Sequence, residues 1–205
     1  MKKNKISKNW LINQKRDLFF RQSKIEGYRS RAAYKLIEMN KKFKFLKKSS
    51  FVLDLGSCPG GWSQVAKKEI IEGKILAIDA KSMEKINKVD FIKGDFRENK
   101  IYEKIMVYFN NKADVVLSDA AENTTGNKTL DSYRTGELCI NAMNLAKKIL
   151  ARDGIFLSKI FMGSTFKEIS EKAKKCFKRV VIYKPLSSKK ESKEIYIFCK
   201  EILNI

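Results

Sequence analysis

Short runs of unbroken apolar residues recur along this chain, separated by stretches whose apolar residues return every three or four positions. A strand buried on both faces has no polar side, so it reads as a continuous apolar run. A helix that covers such a strand shows one apolar stripe. Alternation of the two requires a mostly parallel sheet with helices on both faces, an α/β doubly wound fold. Strands are read at 51–55, 74–79, 89–92, 114–118, 154–161, 179–184 and 194–200. Helices are read at 60–71, 100–109, 130–151 and 164–177, the third ended by Asp153-Gly154. An earlier helix carries Ala33, Leu36, Ile37, Asn40 and Phe43 at helical spacing, with Ser30 as its cap. The last two strands are joined by a polar loop rather than a helix, so the final strand is expected to run antiparallel.

The 205 residues suit one domain. Residues 1–28 read as a basic N-terminal extension with Trp10, Phe19, Phe20 and Tyr28 among the charges; 29–205 read as the folded domain. No apolar run is long enough to span a membrane, and no apolar stretch follows the basic start, so neither anchor nor secretory signal is expected. The start is also too short and too poor in Arg for a transit peptide, and the expected location is cytoplasmic. Cys58, Cys139, Cys176 and Cys199 form no C-x-x-C pair and the chain has no His, so no metal site is expected. Reduced, buried thiols are the expectation. A monomer is the default.

In doubly wound sheets, ligands bind beyond the carboxyl ends of the strands. The first strand leads into Gly56-Ser-Cys-Pro-Gly60-Gly61-Trp62, where glycines let a ligand approach the backbone just before a helix. The spacing is G-x-x-x-G-G, not the pyrophosphate-binding G-x-G-x-x-G, so a cofactor without phosphates fits better. Asp79 ends the second strand, where a carboxylate can accept from ribose hydroxyls. Asp95-Phe96 follows the third, where Asp95 can accept from an adenine amino group. Each acid alone could be a solvated strand end, and Trp62 could be ordinary helix packing; three signals at successive strand ends favour a cofactor, S-adenosylmethionine.

Several spaced segments resemble the FtsJ family of RNA ribose 2′-O-methyltransferases. They are Ser30-Arg-Ala-Ala-Tyr-Lys-Leu36, Asp54-Leu-Gly-Ser-Cys-Pro-Gly-Gly-Trp-Ser-Gln64, Val89 to Arg97, Ser118-Asp119, Lys159-Ile-Phe-Met-Gly163, and Lys184-Pro-Leu-Ser-Ser188 followed by Glu194-Ile-Tyr196. The resemblance runs from about Trp10 onward and is strongest to the bacterial branch that acts on large-subunit ribosomal RNA. It implies a Rossmann-like sheet of seven strands with the last antiparallel, and a Lys-Asp-Lys-Glu tetrad on Lys35, Asp119, Lys159 and Glu194. It also implies cofactor contacts at Gly60, Trp62, Asp79, Asp95 and Asp119, to which the turn and strand ends add Gly56, Gly61 and Phe96. The implied partner is the large ribosomal subunit or its RNA, and the implied target a uridine in the aminoacyl-tRNA-binding loop. One departure falls after the fourth strand. The family usually reads Asp-Met-Ala-Pro-Asn, and this chain reads Asp119-Ala-Ala-Glu122-Asn123. Glu122 does not fix φ as proline does, and its charge repels phosphate.

Methyl transfer from a sulfonium needs an acceptor that loses its proton, and a ribose hydroxyl needs a positioned base. Without His, a lysine is the candidate, made neutral by desolvation or a second cation. Lys159 stands alone in the apolar run Ile155–Phe161, where an unpaired charge is costly, and it is read as that base. Asp119 orients its amine; Lys35 and Glu194 align the ribose.

The net charge of +21, from 44 Lys+Arg against 23 Asp+Glu, points to a polyanion such as RNA, unless it reflects a lysine-rich background. The expected RNA surface holds Lys2, Lys3, Lys5, Lys8, Arg16, Arg21, Arg29, Arg31, Lys189, Lys190, Lys193 and the helix lysines Lys41, Lys42, Lys44, Lys47 and Lys48. Phe19 and Phe20 either stack bases there or join the core. Amino-methylating enzymes usually carry a [DNS]-P-P-[YFW] turn after the fourth strand, and C5 enzymes a nucleophilic Cys; Ser118–Glu122 offers neither. A non-catalytic RNA-binding protein, or the same chemistry on transfer RNA or a messenger cap, stay as alternatives.

Overall fold

The computed structural model describes residues 17–110, 113–121, 125–189 and 191–203. The expected RNA contacts Lys2, Lys3, Lys5, Lys8, Arg16 and Lys190 lie outside the described residues, as do Trp10, Glu122 and Asn123. In chain order come α1 (Leu18–Ile25), α2 (Ala32–Phe43), β1 (Phe51–Leu55), α3 (Gly61–Glu69), β2 (Lys74–Asp79), β3 (Asp90–Lys93), α4 (Asn99–Phe109) and β4 (Ala113–Ser118). There follow α5 (Lys128–Ile149), β5 (Leu150–Phe161), α6 (Phe166–Cys176), β6 (Phe177–Tyr183) and β7 (Glu194–Ile202).

The strands form one seven-stranded sheet in the order β3-β2-β1-β4-β5-β7-β6. The pairs among β1 to β5 are parallel, and β7 runs antiparallel to both β5 and β6. This is the expected fold class. Alternate strand residues feed two cores. Leu53, Leu76, Val116, Phe156 and Ile197 pack beneath α4, α5 and α6, and Val52, Ile75, Val115, Leu157 and Tyr196 beneath α2 and α3. Strand order reverses between β1 and β4, so a crevice opens there at the carboxyl ends.

Three local differences from the sequence reading have physical causes. The 17–28 stretch contains α1, capped by the Asp17 carboxylate, which accepts from Phe20 N at 3.1 Å. Phe19 packs on Tyr34 with ring centroids 5.4 Å apart, so it joins the core. Ser30 does not cap α2: the helix starts after Arg31, without a side-chain cap bond. A Cβ on Gly61 would collide with the Ser30 hydroxyl, so Ser30 lies where α2 and α3 approach closely. Finally, α5 ends at Ile149 rather than 151, and β5 begins at once. Leu150 pairs with Ala113 and Ile155 with Val115, so the Asp153-Gly154 segment forms a bulge within the strand.

Candidate active site

The crevice is a cleft of about 630 Å³, a volume ordinary for a small-molecule site. Its wall includes Gly56, Asp79, Asp95, Phe96, Asp119 and Lys159. Because β3, β2, β1 and β4 are neighbours, Asp95, Asp79, Gly56 and Asp119 follow one another across the strand ends. That row covers three inter-strand spacings, about 14 Å, and suits an elongated ligand.

Each member of the row has a defined local cause. Gly56 has φ +71°, a left-handed conformation that favours glycine, and a Cβ there would lie 2.6 Å from Ala120 N. Asp79 accepts from Cys58 N at 2.9 Å and from Lys81 N at 2.7 Å, which ties the β1 turn to the end of β2. A carboxylate has about four acceptor directions, so both oxygens can take further donors. Asp95 accepts from Arg97 N at 2.9 Å and Arg97 Nη2 at 2.5 Å. That guanidinium holds the Asp95 carboxyl below the usual range, against the opposing pull of burial. Gly60, Gly61 and Trp62, expected as cofactor contacts, are not among the residues that line the cleft. Trp62 is buried, donates from Nε1 to Ala32 O at 2.9 Å, and lies against Tyr196 with centroids 5.7 Å apart.

At the β4 end of the cleft the structure brings Lys35, Asp119, Lys159 and Glu194 together. Lys159 is 8% exposed, and its Nζ contacts Asp119 Oδ1 at 3.1 Å and Asp119 O at 2.7 Å. Lys35 Nζ contacts Glu194 Oε1 at 2.7 Å. Sheet register explains the meeting. Lys159 pairs with Tyr196 and Phe161 with Glu194 across β5 and β7, so Lys159, Tyr196 and Glu194 share one face. Lys35 reaches that face from α2. The Tyr196 hydroxyl donates to Asp119 Oδ1 at 3.1 Å and lies against Glu194 as well, linking the two ion pairs. Full burial, then the Asp119 and Glu194 charges, drive the Tyr196 pKa far up, so the phenol keeps its proton and acts as a donor.

Several contributors have no role in the sequence reading. Tyr196 is one, although alternation along a strand starting at Glu194 puts it on the same face. Ser188 is another: its hydroxyl donates to Glu194 Oε1 at 3.1 Å. Arg134 and Leu138 of α5 also line the cleft, for which the sequence carries no signal. The last is Asp54, fully buried under the turn. Its Oδ2 accepts from Ser63 Oγ at 2.6 Å, while Oδ1 has no hydrogen-bond partner among the described residues.

Burial pushes the Asp54 carboxyl up to about 7 from an ordinary 3.8, with Asp119 and Asp79 adding to the rise against the Ser63 hydrogen bond. Between those values the folded chain holds a proton that the unfolded chain releases. The contribution of Asp54 to stability therefore falls as pH rises from about 4 to about 7, and is flat outside that window. Asp54→Asn is neutral throughout. Melting curves across this range should show wild-type Tm dropping relative to the variant as pH rises; parallel curves would refute the assignment.

The expected RNA contacts divide. Arg29 donates from Nη1 to Glu84 O at 2.7 Å and from Nη2 to Lys85 O at 3.1 Å, bracing the loop after β2. Arg31 pairs with Asp17 and donates to Ser187 O. Both guanidiniums are engaged within the protein. Arg21, Lys41, Lys42, Lys44, Lys47, Lys48, Lys189 and Lys193 are exposed. The four cysteines are free thiols, three of them buried. Among the described residues no cluster could hold a metal, and no helix is long and apolar enough to cross a membrane.

The family model for FtsJ-like methyltransferases matches residues 28–202. The chain is 52% identical over 200 residues to ribosomal RNA large subunit methyltransferase E of Pelagibacter ubique strain HTCC1062, with 98% of each chain covered. A protein of the same name from Rickettsia akari is 45% identical, over 93% of this chain and 87% of that one. A crystal structure from Plasmodium falciparum, provisionally described as a ribosomal RNA methyltransferase, matches with a TM-score of 0.77 and 35% identity, covering 87% of this chain and all of that one. Human methyltransferase-like protein 13, solved with SAH, shares the fold at a TM-score of 0.60 and 12% identity, over 83% of this chain and 79% of that one.

Proposed function

The chain belongs to the FtsJ-like methyltransferase family, and from that premise we propose that it methylates a ribose 2′-hydroxyl of large-subunit ribosomal RNA. S-adenosylmethionine is the donor and a uridine of the aminoacyl-tRNA-binding loop the target. The observation that carries this reading is the pair of linked ion pairs, Lys159–Asp119 and Lys35–Glu194, at one end of the cleft.

The cleft suits the donor. Its glycine turn does not have the pyrophosphate spacing, and it offers acceptors for an adenine amino group at Asp95 and for ribose hydroxyls at Asp79. Asp119 adds a carboxylate for a cationic end. When bound, S-adenosylmethionine supplies a methyl group already activated on a sulfonium.

The remaining work is done by the protein. Lys159 Nζ would take the 2′ proton, leaving the ribose oxygen to accept the methyl group that bound S-adenosylmethionine would supply as its methyl–sulfur bond breaks. The ammonium thus formed is held by the Asp119 contacts seen here. Proton removal by a positioned base contributes about 10²- to 10⁴-fold. Asp119, itself held by the Tyr196 hydroxyl, fixes the amine, and Lys35 with Glu194 orients the ribose.

The name shared by the Pelagibacter and Rickettsia proteins favours ribosomal over transfer RNA. Labelled methyl transfer should be compared on large subunits lacking their 2′-O-methyl marks, on transfer RNA and on capped messenger. Incorporation into large-subunit RNA is expected. Incorporation confined to transfer RNA would overturn the substrate and keep the chemistry. Binding to RNA should weaken steeply between low and moderate salt, since lysine–phosphate contacts release counterions; an affinity indifferent to salt would contradict the basic surface.

A further inference from the structure

We propose that Glu38 is a positioning residue for the Lys35–Glu194 pair, acting through the β6–β7 loop and Ser188; this rests on the methyltransferase reading above. Glu38 lies three residues beyond Lys35, on the same face of α2. One helix face thus presents both a tetrad cation and a second carboxylate.

That carboxylate gathers four donors. It accepts from Tyr183 OH at 2.6 Å, Leu186 N at 2.7 Å, Ser187 N at 3.1 Å and Ser187 Oγ at 3.1 Å. All four come from the end of β6 and the start of the loop that leads to Glu194. Arg31 donates to Ser187 O, and Ser188 N donates to Pro185 O at 3.0 Å, closing the turn. The loop is consequently inverted: Leu186 is 88% exposed while Ser187 and Ser188 are buried. An apolar tip left in water and two serines drawn inside need a local reason, and the Glu38 carboxylate is that reason. Burial alone would raise its pKa, but the bonds from Tyr183, Leu186 and Ser187 outweigh it and hold the carboxyl below its usual range.

The consequence falls on the tetrad. The turn delivers the Ser188 hydroxyl to Glu194 Oε1, the oxygen that also receives Lys35 Nζ. Two donors on one oxygen, one from α2 and one from a loop hung on α2, fix where Glu194 points. A carboxylate can take all four donors because it is acceptor-only. A glutamine presents one acceptor oxygen and an NH₂ that opposes the loop amides. Displacing a positioning group by a fraction of an ångström lowers the rate of a reaction more than the binding of its reactants.

The test is a double-mutant cycle on labelled methyl transfer to large subunits, using Glu38→Gln, Ser188→Ala and both together. Each single change should lower kcat about tenfold, with cofactor Kd and RNA KM within about twofold. The double variant should lose no more than the worse single, because both act on the same oxygen. Losses that multiply, a kcat within about twofold of wild type in Glu38→Gln, or a loss found wholly in KM would overturn the proposal. Hydrogen exchange gives a readout free of activity. The Leu186 and Ser187 amides should exchange faster in Glu38→Gln and not in Ser188→Ala. Unchanged exchange in Glu38→Gln would overturn the clamp. A wild-type chain that methylates no RNA would sink the functional reading and the tetrad role of Glu38 with it, while exchange would still decide whether Glu38 holds the loop.

Discussion

Lys159→Ala should lower turnover of methyl transfer about a thousandfold, the middle of the range for loss of a positioned base, while cofactor affinity stays within about twofold. Lys159 is 8% exposed within the buried run 154–160 of β5, and its amine is fastened at two points to Asp119. Removing it leaves Asp119 Oδ1 with the Tyr196 hydroxyl and does not touch Asp79, Asp95 or Gly56. Lys159→Arg separates two roles that alanine confounds. A guanidinium keeps the charge and the ion pair, yet it cannot give up its proton in a protein. If Lys159 is the base, arginine is as inactive as alanine. If Lys159 only supplies positive charge, arginine restores much of the rate.

Gly56→Ala should abolish cofactor binding at concentrations that saturate the wild type. It should also lower Tm by several degrees, since left-handed backbone costs a residue with a Cβ about 1 to 2 kcal/mol. The larger effect is steric. The added methyl would lie 2.6 Å from the backbone nitrogen of Ala120, and backbone cannot swing aside as a side-chain tip can. Gly56 and Ala120 both line the cleft, one after β1 and the other after β4. Pushing them apart widens the crevice where strand order reverses and moves Asp119 with it. Calorimetric titration with S-adenosylmethionine reads the first effect and thermal melting the second. Wild-type affinity in this variant would show that the ligand does not use the β1 turn.

Much of this was legible in the sequence because it depends on local pattern. Continuous apolar runs marked β1, β2 and β4, and the polar link before Glu194 marked the antiparallel strand. Lys159 stood out because a lone charge in a buried strand needs a partner. Its partner Asp119 lies 40 residues away and followed only from the family resemblance. The missed features depend on tertiary contacts. Tyr196 reads as another apolar strand residue until β5–β7 register sets it opposite Lys159. Arg29 and Arg31 read as phosphate ligands, since charge alone does not reveal that carbonyls and Asp17 already engage them. The end of α5 was misjudged because Asp153-Gly154 is a turn signal whether it ends a helix or builds a bulge. Asp54 gave no signal: an acid at the end of a strand is ordinarily solvated, and only the closure of α3 over it makes it buried.

Alkaline digestion of the labelled product shows whether the methyl group goes to a ribose 2′-oxygen with Lys159 as base. A 2′-O-methyl group removes the hydroxyl that attacks the neighbouring phosphate, so the label should persist in a single alkali-resistant dinucleotide from large-subunit RNA, with uridine on its 5′ side. The same reaction with Lys159→Arg should yield none. Label recovered in alkali-labile mononucleotides would mean that a base is methylated instead, and the assignment of the Lys35, Asp119, Lys159 and Glu194 cluster to ribose chemistry would be wrong.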